Sequence, residues 1–288
     1  MPLSRPATEP ASQISAPVDA FNYTNDNEYR SSNGKISFLG ISFDNVDING
    51  AVRTCDVLSR SNDFQYITTP NVDHIVTMHS EQMIARSFRQ AAEGATIRLC
   101  DSRILALLAR LSGIRLNTVP GSDLTSELLK KVIRPGHRVA IVGGDAELLV
   151  TLRGQRPNVT FLQHVPPMGV LNDEAAQDEI CRFVELADAD FVFLAIGAPQ
   201  SEVVARAIAA SGKARGLGLC VGASLAFYTG QLRRAPRALQ VMHLEWLFRL
   251  ASEPRRLWRR YMVKGPKILG IWWQYRMRTG ENAPAFSG

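Results

Sequence analysis

The apolar positions of the chain fall into short β-rich runs that alternate with longer stretches of helical periodicity. Repeated strand–turn–helix units build a mostly parallel sheet, so this pattern predicts an α/β, Rossmann-like fold with helices on both faces of the sheet. Predicted strands cover residues 36–43, 64–69, 96–100, 138–142, 159–164 and 190–196, and one more strand with its loop covers 219–224.

Between these runs, apolar residues recur every three or four positions, which is typical of amphipathic helices. The longest predicted helix covers residues 73–89 and follows the turn Thr69-Pro70-Asn71. The other helices are predicted at 51–59, 104–111, 124–133, 146–152, 174–187 and 203–210.

Composition divides the chain into three regions. Residues 1–34 are rich in Ser, Pro, Ala, Asn and Thr without apolar periodicity, which predicts a disordered N-terminal tail. Residues 35–236 carry the strand–helix units and form the predicted α/β domain. Residues 237–288 are predicted to form a basic, amphipathic helical appendage.

Polar residues follow two of the predicted strands. The carboxyl ends of parallel strands meet at the edge where α/β proteins bind ligands. Thr69 and Asn71 could either cap the next helix or contact a ligand there, and spacing favours neither role. Asp101 could be a helix cap or a catalytic carboxylate, and the local pattern alone favours the cap.

Glycine-rich turns follow the later strands, and their convergence on one edge predicts a nucleotide site. The turn before the 146–152 helix suits a phosphate, because glycines let the backbone approach and a helix start offers free N–H groups. It is not a GxGxxG motif, and a Walker lysine is absent. The residues predicted to bind substrate at these turns are Gly143, Gly144, Asp145, Pro167, Gly169, Gly197, Pro199, Gln200, Glu202, Gly222, Ala223 and Ser224. Arg234 joins them through the family resemblance and the leaving-group hypothesis given below.

Composition narrows the compartment and the cofactors. The four cysteines show no paired spacing and the five histidines no ligand spacing, so we expect a reducing cytosol and no metal site. No secretory signal is evident in residues 1–34, and no run approaches the ~18 apolar residues of a membrane-spanning helix. We therefore expect a soluble or peripheral protein.

Positive charge is concentrated near the C-terminus. Residues 231–278 contain ten Arg and two Lys against two acids, whereas the whole chain has a net charge of +6. Three interpretations compete: a core helix pair with solvated arginines, a nucleic-acid surface, and a surface that docks on an anionic membrane. No nucleic-acid-reading module accompanies the charge, and the membrane interpretation explains both the tryptophans and the arginines.

The sequence resembles the WecG/TagA/CpsF glycosyltransferases, or glycosyltransferase family 26, over roughly residues 36–263. The resemblance is carried by Val221-Gly222-Ala223-Ser224, Arg234-Ala235-Pro236, Leu244-Glu245-Trp246-Leu247, Arg249-Leu250 and Glu253-Pro254, and by Thr69-Pro70-Asn71, Asp101, Gly143-Gly144 and Gly197-Ala198-Pro199. It implies an inverting, metal-independent transfer from a UDP-sugar, without a cofactor, to a polyprenyl-diphosphate-linked glycan. The enzyme would lie peripherally on the inner face of the bacterial cell membrane and could form a homo-oligomer.

The resemblance also implies roles for particular residues. Asp101 would be the general base, with Thr69 and Asn71 in the same pocket, and the appendage would attach the enzyme to the membrane. Our hypothesis is that Arg256 and Arg260 stabilise the departing UDP, because a departing diphosphate needs nearby cations.

Four positions depart from the family pattern: Ser102 stands for a Gly, Gln200 for a basic residue, Ser201 for a Gln and Ala226 for an Asp. These departures are expected of a branch that builds exopolysaccharide, closer to xanthan-type glycosyltransferases.

Two other functions compete. One is an NAD-dependent nucleotide-sugar dehydrogenase or epimerase, which the absence of GxGxxG and YxxxK motifs disfavours. The other is a non-catalytic membrane-bound scaffold with the same fold.

Overall fold

A computed structural model describes residues 34–236, 239, 242 and 244–281 of the chain. Its main sheet has six parallel strands in the spatial order β4-β3-β8-β7-β5-β6. The predicted α/β fold with a parallel sheet is therefore confirmed. The strands are β3 (Gln65–Thr68), β4 (Ile97–Arg98), β5 (Arg138–Gly143), β6 (Thr160–His164), β7 (Phe191–Ala195) and β8 (Leu217–Cys220), and β1 (Lys35–Phe38) and β2 (Ile41–Asp44) form a separate pair.

Side chains alternate between the two faces along each strand, and helices cover both faces, so the sheet is buried on both sides. In β5, Val139 and Ile141 enter one apolar cluster, while Ala140 and Val142 enter the cluster on the opposite face. Near-continuous apolar runs such as 138–142 are the sequence signature of such strands.

Helices flank the sheet. Those up to the last strand are α1 (Ile48–Leu58), α2 (Val72–Met78), α3 (Met83–Glu93), α4 (Arg103–Leu111), α5 (Gly121–Glu127), α6 (Ala146–Gln155), α7 (Glu174–Ala187) and α8 (Gln200–Ser211), and after β8 comes α9 (Ser224–Thr229). A π-helical turn, Leu128–Val132, continues α5, and Val170–Asn172 is a short 3₁₀ turn. The α7 and α8 helices pack on one face, whereas α5, α6 and α9 lie on the other.

The prediction of one strand over 36–43 is wrong, because these residues form the antiparallel hairpin β1–β2. Leu39 and Gly40 both have positive φ, +50° and +77°, and Phe38 pairs with Ile41 across them. Positive φ at both central residues is the requirement of a two-residue hairpin turn. The hairpin packs its apolar side chains against α2, α3 and α4 in a third cluster.

The predicted 73–89 helix is also divided in the structure. The α2 helix ends at Met78, and α3 starts at Met83 after the polar segment 79–82. His79 Nδ1 lies 2.9 Å from the Ile75 carbonyl and Ser80 Oγ donates to the Thr77 carbonyl, so local side chains compete for the last helical carbonyls.

The C-terminal region contains α10 (Glu245–Ser252), α11 (Pro254–Trp258), a π-helical segment Arg259–Lys264 and α12 (Lys267–Glu281). The α12 helix packs into the third cluster, where the Tyr275 ring meets Phe38 edge-on at 5.3 Å. Among the described residues, no helix has the length and apolarity to cross a membrane. The predicted tail at 1–34 lies outside the described residues except for Gly34, and the boundary at 236/237 stays a prediction.

Arg98 connects the hairpin to the main sheet. Its side chain is buried and donates to the carbonyls of Ser42 (2.5 Å), Glu93 (2.7 Å) and Ala95 (2.9 Å). Its backbone N–H donates to Asp44 Oδ2 at 2.8 Å. These bonds join β2, β4 and the end of α3 at one point.

We predict that Arg98→Met lowers the free energy of unfolding by about 2–4 kcal/mol, because it removes the buried guanidinium that donates to the Ser42, Glu93 and Ala95 carbonyls. Urea denaturation followed by circular dichroism measures the change. The matched control is Arg86→Met on the exposed face of α3, which we expect to alter stability by less than about 0.5 kcal/mol. Equal midpoints for the two variants would rule out this anchoring role.

Candidate active site

The parallel strands bring the predicted polar loops to one edge of the sheet. After β3, Thr69 Oγ1 donates to the Cys220 carbonyl at 3.2 Å, which ties the end of β3 to the end of β8. Asn71 caps α2, since its Oδ1 accepts from the backbone N–H groups of Asp73 (3.0 Å) and His74 (3.3 Å). Of the two open roles, the cap is therefore observed for Asn71.

Asp101 lies at the same edge, directly after β4. The expectation that it caps a helix is wrong, because Ser102 caps α4 by accepting from Leu105 N at 3.3 Å. The Asp101 carboxylate instead accepts from Gly121 N at 2.8 Å and hydrogen-bonds the Asn71 side chain. Its backbone N–H donates to the Pro70 carbonyl at 3.1 Å. The loop after β3 and the loop after β4 thus share a hydrogen-bonded cluster.

Burial raises the pKa of Asp101 to about 6, against an ordinary value near 3.8. The Gly121 N–H bond and the positive charge of Arg249 lower that pKa, and the negative charge of Glu245 raises it. Desolvation is the largest of these effects. A carboxyl group with a pKa near neutrality can exchange a proton under physiological conditions, which suits an acid–base catalyst.

The α10 helix supplies two of the charges that act on Asp101. Glu245 and Arg249 are four residues apart on α10 and therefore share one face of the helix. The Arg249 guanidinium lies 4.5 Å from the centroid of the Phe227 ring, a cation–π contact that holds the helix against α9. The sequence analysis did not predict that Glu245 and Arg249 act on Asp101. Their position in the Leu244–Leu250 block, which carries the family resemblance, was the one feature that could have indicated it.

Arg234 belongs to the same charged cluster. It forms an ion pair with Asp123 in the first turn of α5, and that hydrogen bond raises the pKa of Arg234. Glu245 and Asp101 raise the pKa of Arg234 further. Its Nε is buried and has no hydrogen-bond partner among the described residues, so one donor is available beside the edge.

Arg260 and Arg256 lie in different surroundings. Arg260 Nε is 3.4 Å from Asp73 Oδ2, and neither Arg260 Nε nor Asp73 Oδ1 has a hydrogen-bond partner in the part of the chain that the structure describes. Arg260 therefore lies beside the loop that holds Asn71. Arg256 is exposed and pairs with Glu253 at 2.6 Å on the appendage itself. The predicted roles of both arginines stay predictions.

The glycines after β5 are explained by backbone geometry. Gly143 and Gly144 have φ of +96° and +73°, and a Cβ on Gly143 would lie 2.9 Å from the Ala195 carbonyl oxygen. Asp145 caps α6 by accepting from Leu148 N at 2.8 Å and also accepts from Gln231 Nε2 at 3.0 Å. One of the free N–H groups at the start of α6 is therefore already bonded to the Asp145 carboxylate, so fewer donors remain there for a phosphate.

The other predicted substrate contacts divide between exposed loops and buried side chains. Pro167 is exposed, as is Gly169 in the left-handed region (φ +86°), both after β6. Gly222 and Ala223 lie between β8 and α9, while Ser224 is buried and accepts from Thr125 Oγ1 at 2.8 Å. Ser224 thus joins α9 to α5.

The loop after β7 runs from Gly197 (φ +78°) through a cis Ala198–Pro199 bond into α8, which starts at Gln200. The Ser201 hydroxyl is buried and donates to the Leu194 carbonyl at 3.0 Å. Glu202 is 2% exposed, and its Oε2 has no hydrogen-bond partner among the described residues. Burial raises the pKa of Glu202 to about 7.

The assembled edge contains a partly buried carboxylate, arginines from the appendage and backbone turns at the strand ends. Such an arrangement can remove a proton from a hydroxyl group and compensate negative charge on a leaving group. Within the described residues, no group of three or more His, Cys, Asp or Glu side chains is arranged to hold a metal ion. The expectation of a metal-independent reaction without a cofactor stays a prediction.

Comparison with known proteins gives a family and several relatives. The "Glycosyl transferase WecG/TagA/CpsF family" matches residues 36–282. Relatives include the N-acetylglucosaminyldiphosphoundecaprenol N-acetyl-beta-D-mannosaminyltransferases of Staphylococcus aureus strains MRSA252 and MW2. Each is 24% identical over 242 residues, which cover 81% of this chain and 90% of the relative.

We predict that stability falls with rising pH through the titration of Glu202. Its pKa is about 7 in the folded protein and near 4.5 in the unfolded chain, so the folded state binds the extra proton between these values. The stabilisation is complete below pH 4.5 and is lost as pH rises through 7, by roughly 3 kcal/mol.

Urea denaturation at several pH values compares wild type with Glu202→Gln, which lacks this titration. The variant should gain stability relative to wild type as pH rises from about 4.5 to about 7, with no further gain above that range. Glu185→Gln, at an exposed position of α7, serves as the matched control and should follow the wild-type curve. A difference between wild type and Glu202→Gln that does not change with pH would contradict the assignment.

Proposed function

The chain belongs to the WecG/TagA/CpsF family of glycosyl transferases, and we propose that it transfers a sugar from a UDP-sugar to a polyprenyl-diphosphate-linked glycan. The observation that carries the proposal is Asp101, a carboxylate of raised pKa at the sheet edge beside charges from the appendage. Family membership also favours a glycosyltransferase over an NAD-dependent dehydrogenase or epimerase.

The names of the S. aureus relatives support the acceptor class. Those enzymes act on N-acetylglucosaminyldiphosphoundecaprenol, a sugar joined through a diphosphate to a lipid. At 24% identity the relatives support this general chemistry, while the identity of the transferred sugar is left open. The acceptor proposed for this chain is therefore a lipid-linked diphosphate sugar.

In the proposed reaction, an acceptor hydroxyl oxygen attacks the anomeric carbon of the donor sugar. Asp101 takes the hydroxyl proton as the new C–O bond forms, the bond from the anomeric carbon to the diphosphate oxygen breaks, and UDP leaves with the electron pair. Attack opposite the leaving group inverts the anomeric centre. Thr69 and Asn71 line the same edge, and Asn71 also holds the Asp101 carboxylate.

Departure of UDP places negative charge next to the site, and we assign its stabilisation to arginines near the edge. Arg249 already acts electrostatically on Asp101, and Arg234 has a buried donor without a partner among the described residues. Arg260 forms an ion pair with the Asp73 carboxylate, which lies close to Asn71. Arg256 would have to leave its exposed pair with Glu253 to take part.

The appendage is proposed to attach the enzyme to the inner face of the cell membrane. Trp258 and Trp273 are 49% and 63% exposed, and Arg255, Arg256 and Arg259 are exposed on the same C-terminal region. Tryptophans prefer the headgroup region of a bilayer, and arginines bind lipid phosphates. This placement would bring the active site to a lipid-linked acceptor.

A role in exopolysaccharide synthesis is proposed from the departures from the family pattern. Ser201 satisfies its hydroxyl within the fold by donating to the Leu194 carbonyl, so it does not reproduce the reach of a glutamine. Ala226 has no carboxylate to offer a sugar hydroxyl. Both changes fall beside the strand-end loops, where they would alter sugar selection.

Incubation with labelled UDP-sugars and a short-chain lipid-diphosphate-linked acceptor tests the reaction, with the product read by mass spectrometry. We predict transfer from at least one donor, and a 10²–10⁴-fold lower rate for Asp101→Asn, because the general base is lost. Titration calorimetry with UDP should show unchanged binding by that variant. Near-normal turnover of Asp101→Asn would refute the assigned base, and UDP binding without transfer by wild type would favour the scaffold alternative.

The pH dependence of transfer provides a second test. A base must be ionised to act, so kcat/KM should fall as pH drops through about 6. Glu245→Gln removes a negative charge and should move this acidic limb to lower pH, whereas Arg249→Gln removes a positive charge and should move it to higher pH.

The matched control is Glu253→Gln, which removes an acid of the appendage that is bound to Arg256. It should leave the midpoint of the acidic limb unchanged. Shifts of the same sign in Glu245→Gln and Arg249→Gln would show that the limb does not report the charge around Asp101.

A further inference from the structure

A basic groove lies on the outer face of α4, in the α/β domain and outside the strand-end loops. It is an open depression of about 770 Å³ between α4 and the loop that follows it. The residues that line it include Arg103, Leu107, Arg110, Ile114, Arg115 and Asn117.

The groove combines positive charge with exposed apolar surface. Residues 102–122 contain three arginines and no acid, and Arg110 and Arg115 are both exposed. Leu107 is 46% exposed, and Leu111, one turn further along α4, is 55% exposed. Guanidinium groups bind phosphates, and the transfer of leucine side chains from water into an apolar layer is favourable. Together they match a surface that carries phosphates above an apolar layer.

The same face continues into the appendage through direct contacts. Trp272 Nε1 donates to the Leu108 carbonyl at 3.1 Å and to Ser112 Oγ at 2.9 Å, and Arg276 donates to the Leu111 carbonyl. The last turn of α4, which includes Leu111, therefore lies beside α12. The α12 helix itself exposes Leu269, Trp273 and Met277, each by more than half.

We propose that the α4 groove binds the phosphate headgroups of anionic phospholipids, so that the α/β domain contacts the membrane next to the appendage. This inference rests on the proposed function, in which the acceptor is held in a membrane. A bilayer is favoured over a nucleic acid or a free phosphate because it offers both partners at once, phosphates for the arginines and an apolar layer for the leucines.

The groove has a consequence for orientation. Since α4 starts two residues after Asp101, contact through α4 and α12 together fixes the sheet edge relative to the bilayer. Two separated contacts restrict rotation about the appendage, which a single amphipathic helix would allow. The acceptor hydroxyl would then reach Asp101 without a large excursion of the lipid.

Co-sedimentation with vesicles of phosphatidylcholine containing phosphatidylglycerol tests the groove in the full-length protein. We expect Arg110→Gln/Arg115→Gln to bind these vesicles about 25-fold more weakly than wild type, because each of the two arginines near an anionic surface contributes about 5-fold. Leu107→Ser/Leu111→Ser should also weaken binding. Arg182→Gln/Arg206→Gln, exposed on α7 and α8, is the matched control and should bind like wild type.

Several outcomes would overturn the groove assignment. These are equal vesicle binding by wild type and the Arg110/Arg115 variant, loss of the same size with pure phosphatidylcholine vesicles, and full competition by millimolar inorganic phosphate. Loss of RNA-oligonucleotide binding with vesicle binding retained would favour a nucleic-acid surface instead.

Transfer to a water-soluble acceptor should be unchanged in the variant. Absence of transfer by wild type would count against the proposed function, whereas the vesicle comparison does not depend on activity.

Discussion

Six parallel strands end at one edge of the sheet, and this shared direction brings together residues as distant in sequence as Thr69 and Cys220. No local interaction would hold the β3 and β4 loops against the start of α5. The hydrogen bond from Gly121 N to Asp101 depends on the register of β3 with β4 and on the crossover that returns α5 to the same edge. The site is therefore a property of topology, and its residues gain their chemistry from where the strands end.

Desolvation then decides what the carboxyl groups at and under this edge can do. Burial raises the pKa of both Asp101 and Glu202, but their surroundings differ. Asp101 has donors from Gly121 and Asn71 and lies between charges of opposite sign. Glu202 is buried in the first turn of α8, and its Oε2 has no partner among the described residues. The first environment suits proton transfer, whereas the second makes Glu202 a source of pH-dependent stability.

The sequence was sufficient for features that depend on local periodicity. The parallel strands and the α7 helix were predictable because apolar runs and helical spacing are written directly into residues 138–142 and 174–187. The hairpin was missed because Leu39 adopts positive φ, which a leucine rarely does and which no local pattern indicates. The local pattern alone favoured a cap for Asp101, because its hydrogen-bond partner, Gly121, is twenty residues away in sequence.

The same distinction explains why the influence of α10 on the site could not be predicted. Glu245 and Arg249 are 144 and 148 residues beyond Asp101, and their effect on its pKa exists only because the appendage packs over the edge. The reactivity of the base is therefore shared between the sheet and the C-terminal helices. A chain ending at Pro236 would keep the Asp101 carboxylate and its bond from Gly121, yet it would lose both charges that tune the pKa. Under the proposed function the appendage would belong to the acid–base site as well as to the membrane contact, and its basic composition alone indicated only the membrane contact.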